Sequence, residues 1–247
     1  MQSTNNMIIK ASRSLCGTGV LALLLSASVA QASVSITGNY VGATAPILNS
    51  TFGTLEFALN MGGIPLTRDG IAFATAGTSD VLSARTFLAG PINVVGTTSG
   101  GASWGTTSLS GADPLFYSIA YANSSQGYTI DLTGLDAGKS YELQFLFGDP
   151  RTGFPYSRTV TVSDNLAPTP NTATATVSYG SSAAGDEFAM LTAVVSGSTS
   201  FQFISPITGP GTGGPLLSGL VVQSIPEPSA ALLGGFGLLA LLRRRRA

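Results

Sequence analysis

The chain of 247 residues has no histidine, one cysteine, one tryptophan and few charges, with only 9% of its residues Asp, Glu, Lys or Arg. An ordinary globular domain carries roughly 25%. The missing histidine removes the commonest general base and metal ligand. A lone cysteine excludes an intramolecular disulfide, a thiolate zinc site and a Cys-ligated iron–sulfur cluster. A formal charge of −1 leaves no excess of Lys and Arg to neutralise phosphates, which argues against nucleic acid as a partner. No fixed-period repeat is present, which argues against a solenoid or propeller.

What is present divides into a body and two ends. The apolar fraction of 44% is enough for one packed core. At the N-terminus, Lys10 and Arg13 precede an apolar stretch from Leu15 to Ala27. Ala30 and Ala32 then stand at the −3 and −1 positions of a small-residue cleavage site. Residues 1–32 therefore read as a secretory signal peptide with a mature start at Ser33. The stretch is shorter than the ~20 residues of a membrane span. Cys16 lies inside this leader, so the body has no cysteine.

At the C-terminus, Pro226, Glu227 and Pro228 are followed by an apolar run from Ala230 to Leu242 and by Arg243, Arg244, Arg245 and Arg246. The two prolines hold the backbone extended and prevent helix continuity upstream. The apolar run is suited to a lipid-embedded helix, and the arginines hold its end in the cytoplasm. Ser229 to Leu242 gives about 21 Å of helix against a hydrocarbon core of about 30 Å, a short span that suits a temporary anchor.

Residues 33–224 alternate short apolar runs with Gly, Ser, Asn and Pro. Strands are expected at Val34–Tyr40, Leu55–Asn60, Ile71–Ala74, Ile92–Val95, Thr129–Leu132, Tyr141–Phe147, Arg158–Val162, Thr174–Tyr179, Phe188–Val195, Ser200–Ile204 and Leu217–Gln223. One short helix is expected, with Asp113 as N-cap, Pro114 in the first position and Leu115–Ala122 as its body. The expectation is an all-β body, a β-sandwich, with this helix added and with a signal helix and a transmembrane helix at the ends. Five basic residues (Arg68, Arg85, Lys139, Arg151, Arg158) stand against eleven acidic ones, so the body is acidic.

Two groups of residues offer chemistry. Calcium takes oxygen ligands alone, and Asp149, Asp164, Asn165, Asp186 and Glu187 fall in expected loops, although no Asp-x-Asp-x-Asp loop is present. Arg151, Phe154 and Tyr156 form a candidate ligand loop, with a planar donor and two rings that suit a glycan. Asp149 and Arg151 read as an ion pair bracing that loop. Trp104 reads as core. A secreted polysaccharide-active enzyme needs two facing carboxylates about 5–9.5 Å apart, and no acidic spacing singles out such a pair. A non-catalytic body is therefore the primary expectation and the enzyme its alternative.

The Pro226-Glu227-Pro228 motif, helix and arginine cluster, together with a leader, resemble the PEP-CTERM sorting signal of Gram-negative bacteria, over residues 225–247. The resemblance implies signal peptidase and exosortase as processing enzymes, export across the inner membrane to the envelope or extracellular matrix, and association with exopolysaccharide or biofilm. A second resemblance runs through Thr129-Ile130-Asp131-Leu132-Thr133-Gly134-Leu135-Asp136-Ala137-Gly138-Lys139-Ser140-Tyr141, which is similar to exported fibronectin-like modules and galactose-binding-like jelly rolls. It implies a jelly-roll sandwich, with Gly138 in a tight turn and the Tyr141 ring packed across the corner.

Overall fold

The computed structural model describes residues 32–42, 45, 48, 53–62, 65–75, 84–88, 90–98, 105–108, 113–116, 118–122, 127–149, 156–165, 168–180, 188–206 and 216–226, all within the unit Gln31–Ala247. These residues are all-β, with no helix among them. In chain order the strands are β1 Ser33–Gly42, β2 Thr54–Asn60, β3 Leu66–Arg68, β4 Ile71–Thr75, β5 Ala84–Leu88, β6 Asn93–Thr98, β7 Gly105–Ser108 and β8 Ser118–Tyr121. They continue with β9 Tyr128–Thr133, β10 Ser140–Gly148, β11 Tyr156–Ser163, β12 Thr172–Tyr179, β13 Phe188–Ser196, β14 Ser200–Ser205, β15 Leu216–Leu217 and β16 Gly219–Ile225. Ten of the eleven expected strands are present, because alternation of Thr and Val with larger apolar residues is a period-two pattern; β3, β5, β7 and β8 were not among the expected strands.

Seven strands form one sheet in the order β1-β13-β10-β16-β2-β4-β3, and six form another in the order β12-β11-β14-β9-β6-β5. Pairing is antiparallel except between β2 and β4. Both sheets contribute to a single buried cluster: Leu143, Phe145, Leu191, Leu220 and Val222 from the first, Ile130, Leu132, Val160, Val162 and Phe203 from the second. Phe203 stacks on Phe145 with centroids 4.1 Å apart, and Phe147 stacks on Tyr179 at 5.3 Å. On the free side of β1 the Asn39 amide donates to the Thr176 carbonyl of β12 at 2.7 Å, so one flank between the sheets is stitched.

The expected helix at Asp113–Ala122 does not form. The Asp113 carboxylate does accept the Leu115 N–H at 3.1 Å, but it closes only a turn over residues 114–116. Beyond it Ser118–Tyr121 is strand β8, paired with β7 and β15. Leu115, Phe116, Ile119, Ala120 and Ala122 are all buried, a demand that a two-turn helix with one apolar stripe does not meet. Leu115 and Phe116 instead cover the outer face of the seven-stranded sheet, against Leu146, Phe188 and Val221. The expected strand Leu217–Gln223 is also broken. Ser218 turns the chain from the three-stranded sheet β15-β8-β7 into the seven-stranded one, donating its N–H to Leu146 O at 2.8 Å and its hydroxyl to Phe116 O at 2.7 Å.

Two buried phenols hold β15 to the core. The Tyr128 and Tyr179 hydroxyls donate to Leu216 O at 3.1 and 3.4 Å, and Leu216 N donates to Tyr179 at 3.1 Å. Burial, and secondarily Tyr179, raises the Tyr128 phenol well above its ordinary value of 10.0. The unfolded chain ionises there while the folded protein keeps its proton, so the contribution is intact below about pH 10 and is lost as pH rises beyond it. Melting temperatures measured from about pH 8 to about pH 11 are expected to fall on the alkaline side. Tyr128→Phe is expected to flatten that fall and to lower neutral-pH stability by about 1 kcal/mol. An unchanged alkaline slope in the variant refutes the assignment to Tyr128.

Candidate functional site

The seven-stranded sheet has two unlike rims. Ser33 pairs with Ser196, Ser196 with Ser140, and Ser140 with Ile225, so the start of β1 and the end of β16 lie in one row across four adjacent strands. Three strand spacings separate them, about 14 Å. At this rim Ala32 directly precedes β1, and the exposed Pro226 directly follows β16. Ala32 of the expected cleavage site and Pro226 of the expected motif therefore adjoin the same rim.

Tight turns close this rim. Asp136 accepts the N–H groups of Gly138 (2.8 Å, carboxylate) and Lys139 (3.0 Å, carbonyl), and the Asp136 N–H donates to the Tyr141 hydroxyl at 2.9 Å. Gly138 sits in the turn and buried Tyr141 braces the corner, as the sequence pattern implied. Leu135 N donates to Thr199 O at 3.2 Å, joining this turn to the one between β13 and β14. Fully buried Asp164 accepts the Asn171 N–H at 2.9 Å and the Asn171 amide at 2.5 Å. The same amide donates to Ala32 O at 3.1 Å, and Ser198 donates to Asp164 O at 3.3 Å. This carboxylate is thus a structural acceptor that fastens the entry to β1.

The opposite rim holds the ends of the candidate ligand loop. Gly148, the last residue of β10, pairs with Phe188, and buried Asp149 follows it. Tyr156 opens β11 opposite Tyr179. Asp149, where the candidate loop begins, thus lies at the rim away from Ala32 and Pro226. Arg151, Phe154 and the Tyr156 side chain lie outside the described residues, as do Trp104, Ala30, Glu227, Pro228 and Arg243–Arg246. The Asp149–Arg151 pair falls outside them for the same reason.

The expected calcium ligands fall on several segments. Asp149 follows β10 and Asp164 and Asn165 follow β11, whereas Asp186 and Glu187 lie outside the described residues. Among the described residues no group of three His, Cys, Asp or Glu converges. Other carboxylates are engaged in structure. Asp131 accepts the Gln202 amide at 2.6 Å, and Glu142 accepts the Gln144 amide at 2.9 Å. Glu56 meets Lys139 at 3.4 Å, which raises the lysine further. Arg68 lies 2.9 Å from Asp113 and 3.5 Å from Asp69, with its guanidinium 5.1 Å from the Phe116 ring. Asp113 has one oxygen on Arg68 and the other on Leu115 N, so it braces the turn.

Sequence reasoning missed two sets of buried polar groups. Arg158 is 2% exposed, on the inward row with Val160 and Val162, and strict alternation from those valines was the available signal. Gln144 and Gln223 are buried on the outward row, where nothing in the local pattern announces a cover. The outward rows of β6, β9, β14, β11 and β12 are hydroxyl-rich among the described residues, with Thr97 opposite Thr129 and Thr161 opposite Thr174 in one row and Ile204 between the two pairs. No helix among the described residues is long and apolar enough to cross a membrane. Comparisons of the chain with protein-family models, curated proteins and solved structures gave no match.

Proposed function

We propose that the protein is an exported, non-catalytic jelly-roll β-sandwich, delivered by its leader and sorted through the PEP-CTERM-like tail. An exosortase cuts that tail near Pro226–Pro228, and the body joins the envelope or extracellular matrix, where the Arg151, Phe154 and Tyr156 loop meets exopolysaccharide. The strand order supports the fold. β2-β16-β10-β13 against β9-β14-β11-β12 is the arrangement of two interlocked Greek keys. The observation that carries the functional reading is the shared rim. Ala32 and Pro226 adjoin one row of the sheet while β10 ends at the other rim, where Asp149 begins the candidate loop, so a chain held at its tail presents that loop away from the membrane.

Mass spectrometry of the envelope pool from cells that carry an exosortase tests the sorting, with the glycan arm read on the same material. The expected result is a chain beginning at Ser33 and lacking Arg243–Arg246, with polysaccharide binding lost on replacing Phe154 and Tyr156 by alanine. A pool ending at Ala247 overturns the processing. Binding unchanged in the double variant overturns the loop assignment.

A further inference from the structure

The strand that ends at the tail is the direct neighbour of the strand that ends at the far rim. β16 leaves the sheet at Ile225 toward Pro226, and β10 leaves it at Gly148 in the opposite direction. They pair antiparallel over seven residues, Ser140↔Ile225 to Leu146↔Gly219. Neither is an edge strand, since β16 also pairs with β2 and β10 with β13. Ladder hydrogen bonds lie perpendicular to the strands. A pull on the tail against a pull at the end of β10 therefore runs along both strands and loads the whole ladder at once, in shear.

The two ends of the body respond differently. Ser33 and Ile225 share one row, so a force between them runs across the sheet, along the hydrogen bonds. It loads the Ser33↔Ser196 pair first and then each successive pair of β1 in turn. β1 is an edge strand with no fully buried residue, so beyond the half-buried Val34 and Ile36 and the bonds of Ala32 and Asn39 to the other sheet less core resists its peeling than holds the fully enclosed β10 and β16.

We infer that the body is a directional tension-bearing connector, strong between the tail and the far end of β10 and weak between its own two chain ends. The partner is a polymer immobilised outside the cell and held at the far rim, so that drag on it is transmitted through the β10–β16 ladder to the anchored tail. Removal of the leader serves this design, because it leaves β1 outside the path of the load. The inference rests on the tail being the anchor. The mechanical anisotropy itself is a property of the folded chain, processed or not, so the two readings can fail separately.

Single-molecule pulling tests it. The full-length chain in detergent, with Cys16→Ser so that no other thiol competes, is held by an added C-terminal tag and pulled from a cysteine introduced as Gly153→Cys or as Ser33→Cys. Unfolding force reports the barrier along the chosen direction. The expected force through Gly153 is about threefold or more that through Ser33, because the first geometry breaks a ladder together and the second breaks it pair by pair. Pro150→Cys repeats the first geometry should Gly153→Cys fail to match the parent's melting curve. Equal forces in the two geometries, or a lower force through the β10 end, overturn the proposal.

Discussion

Phe203→Ala is expected to destabilise the protein by about 3–5 kcal/mol, among the largest losses a single side chain can cause here. Phe203 is fully buried, stacks on Phe145 at 4.1 Å, and lies 6.1 Å from both Tyr128 and Phe147. It belongs to β14 of the six-stranded sheet, whereas Phe145 and Phe147 belong to β10 of the other. Truncation therefore removes contact area and opens a void where the two sheets meet, and partners fixed in two ladders have little freedom to close it. Typical domains have only about 5–15 kcal/mol in total, so a loss of this size is a large fraction of the whole. Urea unfolding followed by near-UV circular dichroism measures it. A loss below about 1 kcal/mol would mean that the sheets re-close over the gap, contrary to this account.

Gly134→Ala is expected to cost about 2–5 kcal/mol through the backbone rather than the core. Gly134 adopts φ 82°, in the left-handed region where an L side chain meets its own carbonyl. A Cβ there also collides with the Pro91 carbonyl oxygen, which is main chain and cannot rotate away. Gly134 opens the turn from β9 to β10, and Pro91 lies just before β6, so relief requires the two turns to separate. Gly70 is the matching control. It has φ 78°, but a Cβ there has nothing within 4 Å. Gly70→Ala therefore carries the conformational cost alone, about 1–2 kcal/mol. Thermal melts that place the two variants level would remove the collision from the explanation.

The difference between these two glycines was not legible in the sequence. Gly134 precedes Leu-Asp-Ala-Gly and Gly70 follows Arg68-Asp69, and each reads simply as a turn residue. Only folding brings Pro91 against Gly134, across 43 residues of chain. Gly138 and Tyr141 show the opposite case. Their turn closes within six residues, so its donors and acceptors are near neighbours and the local pattern sufficed. The candidate site divides in the same way. Ala32 and Pro226 were found by motif, but nothing in either segment says that both adjoin one row of one sheet. Of the acidic residues grouped as calcium ligands, Asp149 follows β10 of one sheet and Asp164 follows β11 of the other.

Residue order alone carried the local periodicity, and so ten of the sixteen strands, because a side chain's alternation between two faces is a property of the extended backbone alone. It likewise determined the acidic body and the motif-bearing ends, which are composition and order. Tertiary structure decided whatever depends on cover. Asp113 caps a turn and not a helix because the residues after it are needed on more sides than one stripe can supply. Arg158 and Gln144 are buried because another layer crosses them. β10 and β16 form one ladder although β11 to β15 separate them in the chain, and such long-range pairing is set by the summed packing of both sheets, which no local window contains.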